Sequence, residues 1–255
     1  MPIVKVDSYV EGYRLRSHAP ELHTLAARDG RENVTDFVNG RILQQIDPQP
    51  AEVLVDIGCG DGCLLRKAVH VQTRIGTVGT RDERERLQKA IPDVSFKVGL
   101  AHDLPLETAS ADKVVCNGVV MYLGTEEQVT LALREMRRIA KPDALVWIGE
   151  LPAVDEYSEY KMYLGDSVLG LLWHCLSKLG LRTFLGMCRK LLKAAFGGEE
   201  VILNSASLYY SIPEHFIALA KNCGLKLESY TKHRELDRQG SEMESPYRYN
   251  YIFRK

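Results

Sequence analysis

The stretch from Val53 to Gly62, VLVDIGCGDG, sets an apolar run directly before a cluster of three glycines. A segment with helical spacing, CLLRKAV, follows. Glycine is needed where a backbone turns sharply and a ligand must approach without a Cβ in the way. The start of a helix offers free N–H groups and a positive dipole end to a negatively charged or polar ligand. The stretch therefore predicts a strand, a ligand-binding loop and a helix.

The spacing of the glycines argues against two common nucleotide loops. Dinucleotide-binding folds use Gly-x-Gly-x-x-Gly, which would place the third glycine at position 63. This chain has Cys63 there, and its third glycine is Gly62. A Walker loop needs Gly-Lys-Ser/Thr, which does not follow here. The loop therefore indicates a different kind of ligand.

Apolar runs alternate with helical patterns on the C-terminal side of this loop. Strands alternating with helices of about ten residues imply a parallel sheet with helices on both faces. After a polar loop from Asp237 to Pro246, alternating aromatic residues favour a final strand. The predicted strands are Val53 to Ile57, Arg74 to Gly79, Val94 to Val98, Lys113 to Asn117, Ala144 to Gly149, Leu225 to Tyr230 and Tyr247 to Phe253.

Composition excludes several classes of protein. The chain has 255 residues, 33 Lys and Arg against 34 Asp and Glu, and a formal net charge of -1. That balance argues against a nucleic-acid protein with a basic surface. Its six cysteines form neither a Cys-x-x-Cys motif nor a secretory framework. The first residues lack the apolar core of a signal peptide, and no apolar stretch is long enough to span a membrane. We therefore expect a cytoplasmic protein with reduced thiols.

The segment from Ser167 to Phe196 is basic and contains no acid. It predicts two or three helical segments broken at Gly180 and Gly186. One interpretation is a helical lid that packs on the sheet domain and leaves its charges in solvent. The other is a peripheral surface for anionic lipid or a lipid-linked substrate, because a basic amphipathic helix can lie in a membrane interface. The lid would bury Leu171, Leu172, Trp173, Phe184 and Leu185 and leave Lys178, Arg182, Arg189, Lys190 and Lys193 in water.

Several stretches, in order, resemble the class I S-adenosylmethionine-dependent methyltransferases. VLVDIGCGDG resembles the first motif of that family, an acid followed by Gly-x-Gly-x-Gly. VGLAHDLPLETASADKVVCNGVVMYL resembles its adenine-binding turn and fourth strand, and ALREMRRIAKPDALVWIGE resembles its fifth helix–strand unit. SIPEHFIALAKNCGLKLESY resembles the last such unit. The resemblance implies an α/β, Rossmann-like doubly wound, mostly parallel seven-stranded sheet with an antiparallel last strand and a helical lid insertion.

The resemblance also implies a division of the chain and a cofactor. The expected parts are an N-terminal helical cap (1–49), the cofactor-binding core (50–150), the helical lid (151–210) and the C-terminal completion of the sheet (211–255). The implied cofactor is S-adenosylmethionine, and no metal is expected. Asp56 would take its amino group, and Gly58, Cys59 and Gly60 would let the backbone pass close to it. The adenine would lie beside Ala101 and His102, the ribose beside Thr80 and Arg81, and the sulfonium beside Asn117, Gly118 and Tyr122.

Two positions depart from the family pattern. The acid that accepts the ribose hydroxyls at the end of the second strand is replaced by Arg81, with Thr80 and Asp82 beside it. An arginine cannot accept a hydrogen bond. The acid expected just after Gly99 is Leu100. These changes leave three interpretations: ordinary but weaker cofactor binding, a different cofactor with an anion near Arg81, or a relative without catalysis.

The expected reaction is an in-line methyl transfer, in which the protein supplies approach geometry and excludes water. We expect an acceptor oxygen or nitrogen on a small molecule, a sugar or another glycan, or a saccharide-linked lipid. A hydroxyl acceptor benefits from a general base, for which Tyr122 and Glu150 are the first candidates. Further candidates are His18, His23 and His174. The alternative is a methyltransferase-fold protein that binds a partner or a membrane without catalysis, and a nicotinamide-dependent dehydrogenase is disfavoured by the glycine spacing.

Overall fold

The computed structural model describes residues 3–6, 8–19, 21–26, 32–153, 167–197, 201–204, 208–237 and 239–255. Residues 154–166, 198–200 and 205–207 of the predicted lid lie outside these ranges. The elements in chain order are β1 (Ile3–Val6), α1 (Tyr9–Arg16), α2 (Glu32–Ile46), β2 (Val53–Ile57), α3 (Cys63–Lys67), β3 (Thr73–Val78), α4 (Arg81–Ala90), β4 (Ser95–Val98), β5 (Ala111–Asn117), α5 (Glu126–Ile139), β6 (Ala140–Pro152), α6 (Val168–His174), α7 (Leu181–Gly197), β7 (Val201–Asn204), α8 (Pro213–Asn222), β8 (Lys226–Leu236) and β9 (Glu242–Arg254). Short 3-10 helices span Leu22–Ala26 and Val120–Leu123, and a π-helical turn spans Cys175–Leu179.

The larger sheet confirms the predicted fold class. Its seven strands follow the order β4-β3-β2-β5-β6-β9-β8. The neighbours from β4 to β6 pair in parallel, and β9 is antiparallel to both β6 and β8. The chain moves outward from β2 to β4 and returns to place β5 beside β2, so the strand order reverses between β2 and β5. Ligands of open α/β sheets bind outside the carboxyl ends of the strands at such a switch point.

The period-two pattern of the central strands explains why helices cover both faces. Leu54, Val115 and Trp147 lie in an apolar cluster with buried residues of α2, α3 and α4. Their strand neighbours Val55 and Val114 lie in a second cluster with α5 and α8. Successive side chains of a strand point to opposite faces, so a strand buried on both sides must be apolar at nearly every position.

Asp112 ties three strands together at the opposite end of the sheet from the switch point. Its carboxylate accepts hydrogen bonds from the Val53 N–H at 2.8 Å and from the Lys141 ammonium at 2.7 Å. Burial alone would raise the pKa of Asp112, but these two partners outweigh it, and the pKa is lowered. Asp112 near the start of β5 and Lys141 near the start of β6 therefore have a structural role.

The chain divides into two compact units, Tyr13–Ser158 with Leu208–Lys255 and Met1–Gly12 with Glu159–Ser207. The second unit contains a two-stranded parallel sheet of β1 and β7, which the sequence did not predict. Its α6 and α7 are separated at Gly180, whose φ is +85°, as predicted. The predicted break at Gly186 is wrong. Helix α7 continues through Gly186, beside which a Cβ would meet no atom within 4 Å.

Candidate functional site

The glycine loop lies at the switch point of the sheet. Gly58, Gly60 and Gly62 all have positive φ, at +66°, +55° and +71°, and residues with a Cβ rarely adopt this left-handed conformation. A Cβ on Gly58 would also lie 2.5 Å from Cγ2 of Val119, which follows β5. Helix α3 has only five residues, so the dipole at its start is weaker than the sequence suggested. The loop therefore offers close backbone approach more than charge.

Asp56 is a buried carboxyl group at the carboxyl end of β2, immediately before the glycine loop. Burial and the charge of nearby Asp61 raise its pKa to about 8. Asp61 is also buried, and its carboxylate accepts a hydrogen bond from the Cys63 N–H at 3.0 Å. Burial likewise raises the pKa of the Cys59 thiol, which is therefore not a reactive thiolate. At neutral pH, Asp56 retains a proton until a nearby cation compensates its charge.

The end of β3 differs from the sequence expectation. The strand ends at Val78, and Arg81 is the exposed first residue of α4. Arg81 is therefore not the residue that ends the strand. Thr80 caps α4: its hydroxyl accepts from the Glu83 N–H at 3.3 Å and donates to the Glu83 carboxylate at 2.7 Å.

Glu83 is an acid at this edge of the sheet that sequence reasoning missed. The side chain is buried, and burial raises its pKa even though hydrogen bonds from Thr80 and from the backbone of Gly79 lower it. The spacing of Thr80 and Glu83 is that of a capping box, and this signal was sufficient to find it. Glu83 thus supplies a carboxylate beside the end of β3.

The predicted adenine turn is held against α5. The Leu104 N–H donates to the Glu135 carboxylate at 2.9 Å, and the Arg138 guanidinium donates to the backbone carbonyl of Leu104 at 3.0 Å. Ala101 is buried in this turn, and Nδ1 of His102 is buried without a hydrogen-bond partner in the part of the chain that the structure describes. Leu100 is exposed. The turn is thus held by hydrogen bonds to α5, and it contains an imidazole nitrogen that has no hydrogen-bond partner among the described residues.

Polar side chains meet at the carboxyl ends of β5 and β6. The Asn117 amide donates to a Glu150 carboxylate oxygen at 2.9 Å, and Oδ1 of Asn117 is buried with no partner among the described residues. Gly118 follows with a φ of +67°. The ring of Tyr122 makes an edge contact with Tyr13, with 6.4 Å between centroids. Asn117, Gly118 and Glu150 therefore lie next to one another at this edge of the sheet, because a Cβ on Gly118 would lie 3.9 Å from the Glu150 carboxyl group.

Glu150 is more constrained than a simple general base. It is buried, has a φ of +59°, and lies where the pairing of β6 with β9 changes register. Its carboxylate accepts from the Arg248 guanidinium at 2.6 Å, and Arg248 also donates to Glu235 at 2.6 Å. Burial lowers the pKa of Arg248, but the two carboxylates outweigh that effect and raise it. The ion pair with Arg248 and the hydrogen bond from Asn117 fix the position of the Glu150 carboxylate.

A segment near the N-terminus lies against these loops. Within residues 13–26, the backbone carbonyl of Ser17 accepts from Arg86 of α4 at 2.8 Å, and His18 lies 3.5 Å from the Asp82 carboxylate. A Cβ on Gly60 would lie 3.3 Å from Cα of Ala26. The segment therefore touches the glycine loop, the start of α4 and, through Tyr13, the residues after β5.

Two further histidines were predicted as candidate bases. His23 pairs with Glu32 at 2.9 Å, and His174 belongs to α6 in the second unit. No cluster of three or more His, Cys, Asp or Glu side chains suited to a metal occurs among the described residues.

A separate pocket of about 330 Å³ opens between α2 and the strands β8 and β9. None of its lining residues belongs to the glycine loop. Buried His233 and Asn250 line it, and they link it to Glu150, whose N–H donates to Oδ1 of Asn250 at 3.1 Å. Other lining residues are Arg41, Trp147, Lys232, Arg234 and Glu244.

Comparisons with known proteins agree with this geometry. The methyltransferase domain family matches residues 55–148. An uncharacterized methyltransferase of Schizosaccharomyces pombe is 30% identical over 127 residues, which cover 48% of this chain and 47% of that protein. The ubiquinone/menaquinone biosynthesis C-methyltransferase UbiE of Caulobacter vibrioides is 31% identical over 115 residues, covering 40% and 44%. The chain therefore spans about half the length of these two curated relatives.

A solved structure extends the similarity of fold over more of the chain. The crystal structure of a SAM-dependent methyltransferase from Methanosarcina mazei superposes with a TM-score of 0.56 and covers 84% of this chain and 96% of that one. The sequence identity is 16%, so this likeness concerns the fold alone.

Proposed function

We propose that the chain belongs to the class I S-adenosylmethionine-dependent methyltransferases, since the methyltransferase domain family matches residues 55–148, and that it binds this cofactor at the glycine loop and transfers its methyl group to an acceptor. The observation that carries the proposal is the buried carboxyl group of Asp56 at the switch point, directly before three glycines with positive φ. A buried carboxyl group requires a partner for its charge, and the cofactor carries an amino group.

The residues of the site fit the cofactor in three further respects. Gly58 and Gly60 leave space that any Cβ would fill. Nδ1 of His102 and Oδ1 of Asn117 are buried polar atoms without partners among the described residues, and an unmade hydrogen bond costs about 1–3 kcal/mol. We assign His102 and Ala101 to the adenine and Asn117 with Gly118 to the sulfonium end.

We assign the ribose to Glu83, with Thr80 as the residue that orients it. The Thr80 hydroxyl donates to the Glu83 carboxylate, and that carboxylate retains further lone pairs for the hydroxyls of a sugar. Glu83 would thus do the work of the acid that the family pattern places at the strand end. Arg81, which is exposed at the start of α4, would lie at the rim of the site.

Catalysis then rests on positioning. The bound cofactor supplies a methyl group on a positively charged sulfur, which is already activated for displacement. Asp56 holds the amino group, Asn117 and the backbone of Gly118 border the reacting end, and the segment of residues 13–26 excludes water. Holding the reactants in line supplies a large part of such a rate enhancement.

We propose an oxygen or nitrogen acceptor on a small molecule, a sugar or a saccharide-linked lipid. Tyr122 is the better placed of the two predicted bases, because Glu150 is committed to the Arg248 guanidinium and the Asn117 amide. We therefore treat Glu150 as a positioning residue for Asn117. A hydroxyl acceptor would use Tyr122, whereas a neutral amine needs no base.

Transfer of a labelled methyl group tests this proposal. Purified protein is incubated with methyl-labelled S-adenosylmethionine and fractionated cell extract, and the labelled product is identified by mass spectrometry. We expect label on oxygen or nitrogen of one class of product and none with Asp56→Asn. Label on carbon, as the name of the Caulobacter relative describes for that protein, would overturn the acceptor class but not the transfer.

The alternative is a binding protein without catalysis, and the exposed apolar and basic residues of α6 and α7 favour it. The same experiment separates the two functions. Cofactor binding without transfer to any fraction, including membranes and their lipid extract, would support the alternative.

A further inference from the structure

Helix α7 carries an exposed apolar stripe. Leu181, Leu185, Leu192 and Phe196 are all exposed, Phe196 to 90% of its surface. They are spaced by four, seven and four residues, which places them on one face of a helix with about 3.6 residues per turn. Exposed apolar residues that fall singly need no explanation, but a continuous stripe marks an interaction surface.

This stripe is not the face that α7 uses to pack. Leu191 of α7 is buried in a small cluster with Leu171 and Cys175, and Phe184 and Met187 pack against that cluster. Helix α7 therefore packs through the face that carries Phe184, Met187 and Leu191, and the exposed stripe lies on another face.

A row of cations borders the stripe. Arg182, Arg189 and Lys193 are spaced by seven and four residues, one position further round the helix than the apolar stripe. Together with Lys178 and Lys190 they are exposed, and none forms an ion pair with another described residue. No acid occurs from residue 167 to residue 196. The surface is therefore apolar and positively charged throughout.

The preceding helix adds a second stripe. Leu169 and Trp173 of α6 are exposed and spaced by four residues, which places them on one helical face, and Leu176 of the π-helical turn that continues α6 is also exposed. Trp173 is 70% exposed. Of the five side chains that the lid interpretation expected to be buried, Leu171 is buried, Leu172 and Phe184 are half-buried, and Trp173 and Leu185 are exposed, so the expectation is wrong for the last two.

We propose that α6 and α7 form a docking surface for an anionic lipid bilayer. Apolar side chains beside unpaired cations are the signature of helices that lie in the plane of a membrane interface. No helix of the described residues is long and apolar enough to cross a membrane. The surface would thus bind at the level of the headgroups, with the stripes inserted and the cations on anionic headgroups.

Charge complementarity favours a bilayer over a second copy of the chain. A two-fold dimer buries the same patch from both partners, so five cations would face five cations without an intervening acid. An anionic bilayer supplies the opposite charge and an apolar layer together. This argument holds whether or not the chain transfers methyl groups. If the proposed function also holds, the docking favours the saccharide-linked lipid among its acceptors.

Flotation with vesicles tests the surface. The full chain is mixed at low and high salt with vesicles of phosphatidylcholine alone or with one third phosphatidylglycerol. We expect co-migration with the anionic vesicles only, and its loss at high salt. Arg189→Gln with Lys193→Gln should weaken binding about 25-fold, since each basic residue near the surface contributes about fivefold. Lys89→Gln with Lys97→Gln, the matched change at exposed residues of α4 and β4, should leave binding unchanged.

Tryptophan fluorescence separates insertion from adsorption. The chain has two tryptophans, and Trp147 is buried whereas Trp173 is exposed. A blue shift on anionic vesicles that Trp173→Phe abolishes would therefore report insertion of this surface. Equal binding to both kinds of vesicle, no binding, or a dimer by sedimentation that Leu185→Ser with Leu192→Ser dissociates would each overturn the proposal. Because Asp56→Asn should still bind vesicles, failure here is distinct from failure of the proposed function.

Discussion

Replacing Asp56 by asparagine should make the protein more stable and at the same time unable to bind its cofactor. Asp56 is buried, and its pKa is raised to about 8 by burial and by Asp61. The folded state therefore binds a proton that the unfolded chain, with a pKa near 3.8, has released. At neutral pH, folding must therefore protonate Asp56, which costs free energy. An asparagine at this position is uncharged and does not incur this cost.

The sign and size of the effect follow from linkage. Between pH 4 and pH 8 the folded state binds more protons than the unfolded state at this group, so its contribution to stability falls as pH rises. Each pKa unit corresponds to about 1.4 kcal/mol, so the rise from 3.8 to about 8 corresponds to roughly 6 kcal/mol above pH 8. A buried amide keeps part of its own desolvation cost. We expect Asp56→Asn to raise the free energy of unfolding by about 2–4 kcal/mol at pH 8 and by much less at pH 4.

Urea unfolding of both proteins at intervals from pH 4 to pH 9 measures the difference directly. The curves should converge at low pH and diverge toward pH 8. Calorimetric titration with S-adenosylmethionine should show binding only to the wild type. A variant that is less stable at pH 8, or that binds the cofactor as tightly as the wild type, would refute the assignment of Asp56.

Four further variants probe other parts of the structure. Asp112→Asn should lower the free energy of unfolding by about 1–2 kcal/mol at pH 7. The pKa of Asp112 is lowered in the folded state, so this carboxylate stabilises the fold above its unfolded pKa and loses that effect as pH falls. Urea unfolding should therefore show a difference between variant and wild type at pH 7 but not at pH 3. Glu83→Gln should weaken cofactor binding about tenfold in a calorimetric titration, because hydrogen bonds to a charged group are lost. Arg81→Glu should change the affinity less than threefold in the same titration. If Arg81→Glu has the larger effect, the ribose lies beside Arg81 and not beside Glu83. Glu150→Gln should lower the rate of methyl transfer while leaving the shape of its pH profile intact, since Glu150 positions Asn117, and loss of the acidic limb of that profile would identify Glu150 as the base.

The sheet could be predicted from the sequence because its strands are buried on both faces. Such strands are apolar at nearly every position, as in VLVDI, where Asp56 is the one polar residue, and the intervening helices show a helical period instead. The glycine loop could also be predicted, because three closely spaced glycines directly after a strand indicate a sharp turn that a ligand can approach closely.

Features that depend on pairing between distant parts of the chain could not be predicted. Arg248 lies 98 residues from Glu150, and no local pattern connects them. The four-residue strands β1 and β7 pair across nearly 200 residues. The loop predicted from Asp237 to Pro246 is shorter in the structure, where β9 already begins at Glu242, because cross-strand pairs of Arg234 with Glu242 and Glu244 extend the hairpin.

Local reasoning failed at two places where a signal was present. The strand was predicted to end at Gly79, one residue after its observed end at Val78, but the ribose-binding acid was sought at Arg81, so Glu83 was missed. The capping-box spacing from Thr80 to Glu83 marks the start of α4 and would have corrected this. Gly186 was taken as a break, but a single glycine in an exposed helix costs only about 1 kcal/mol relative to alanine.

Titration of the purified chain with S-adenosylmethionine in a calorimeter tests the central claim most directly, with Asp56→Asn and the matched surface variant Lys89→Gln as controls. We predict saturable binding at one site per chain, retained in Lys89→Gln and lost in Asp56→Asn although that variant is folded and more stable. Absence of binding to the wild type, or equal binding to wild type and Asp56→Asn, would contradict the claim that the glycine loop and Asp56 hold this cofactor.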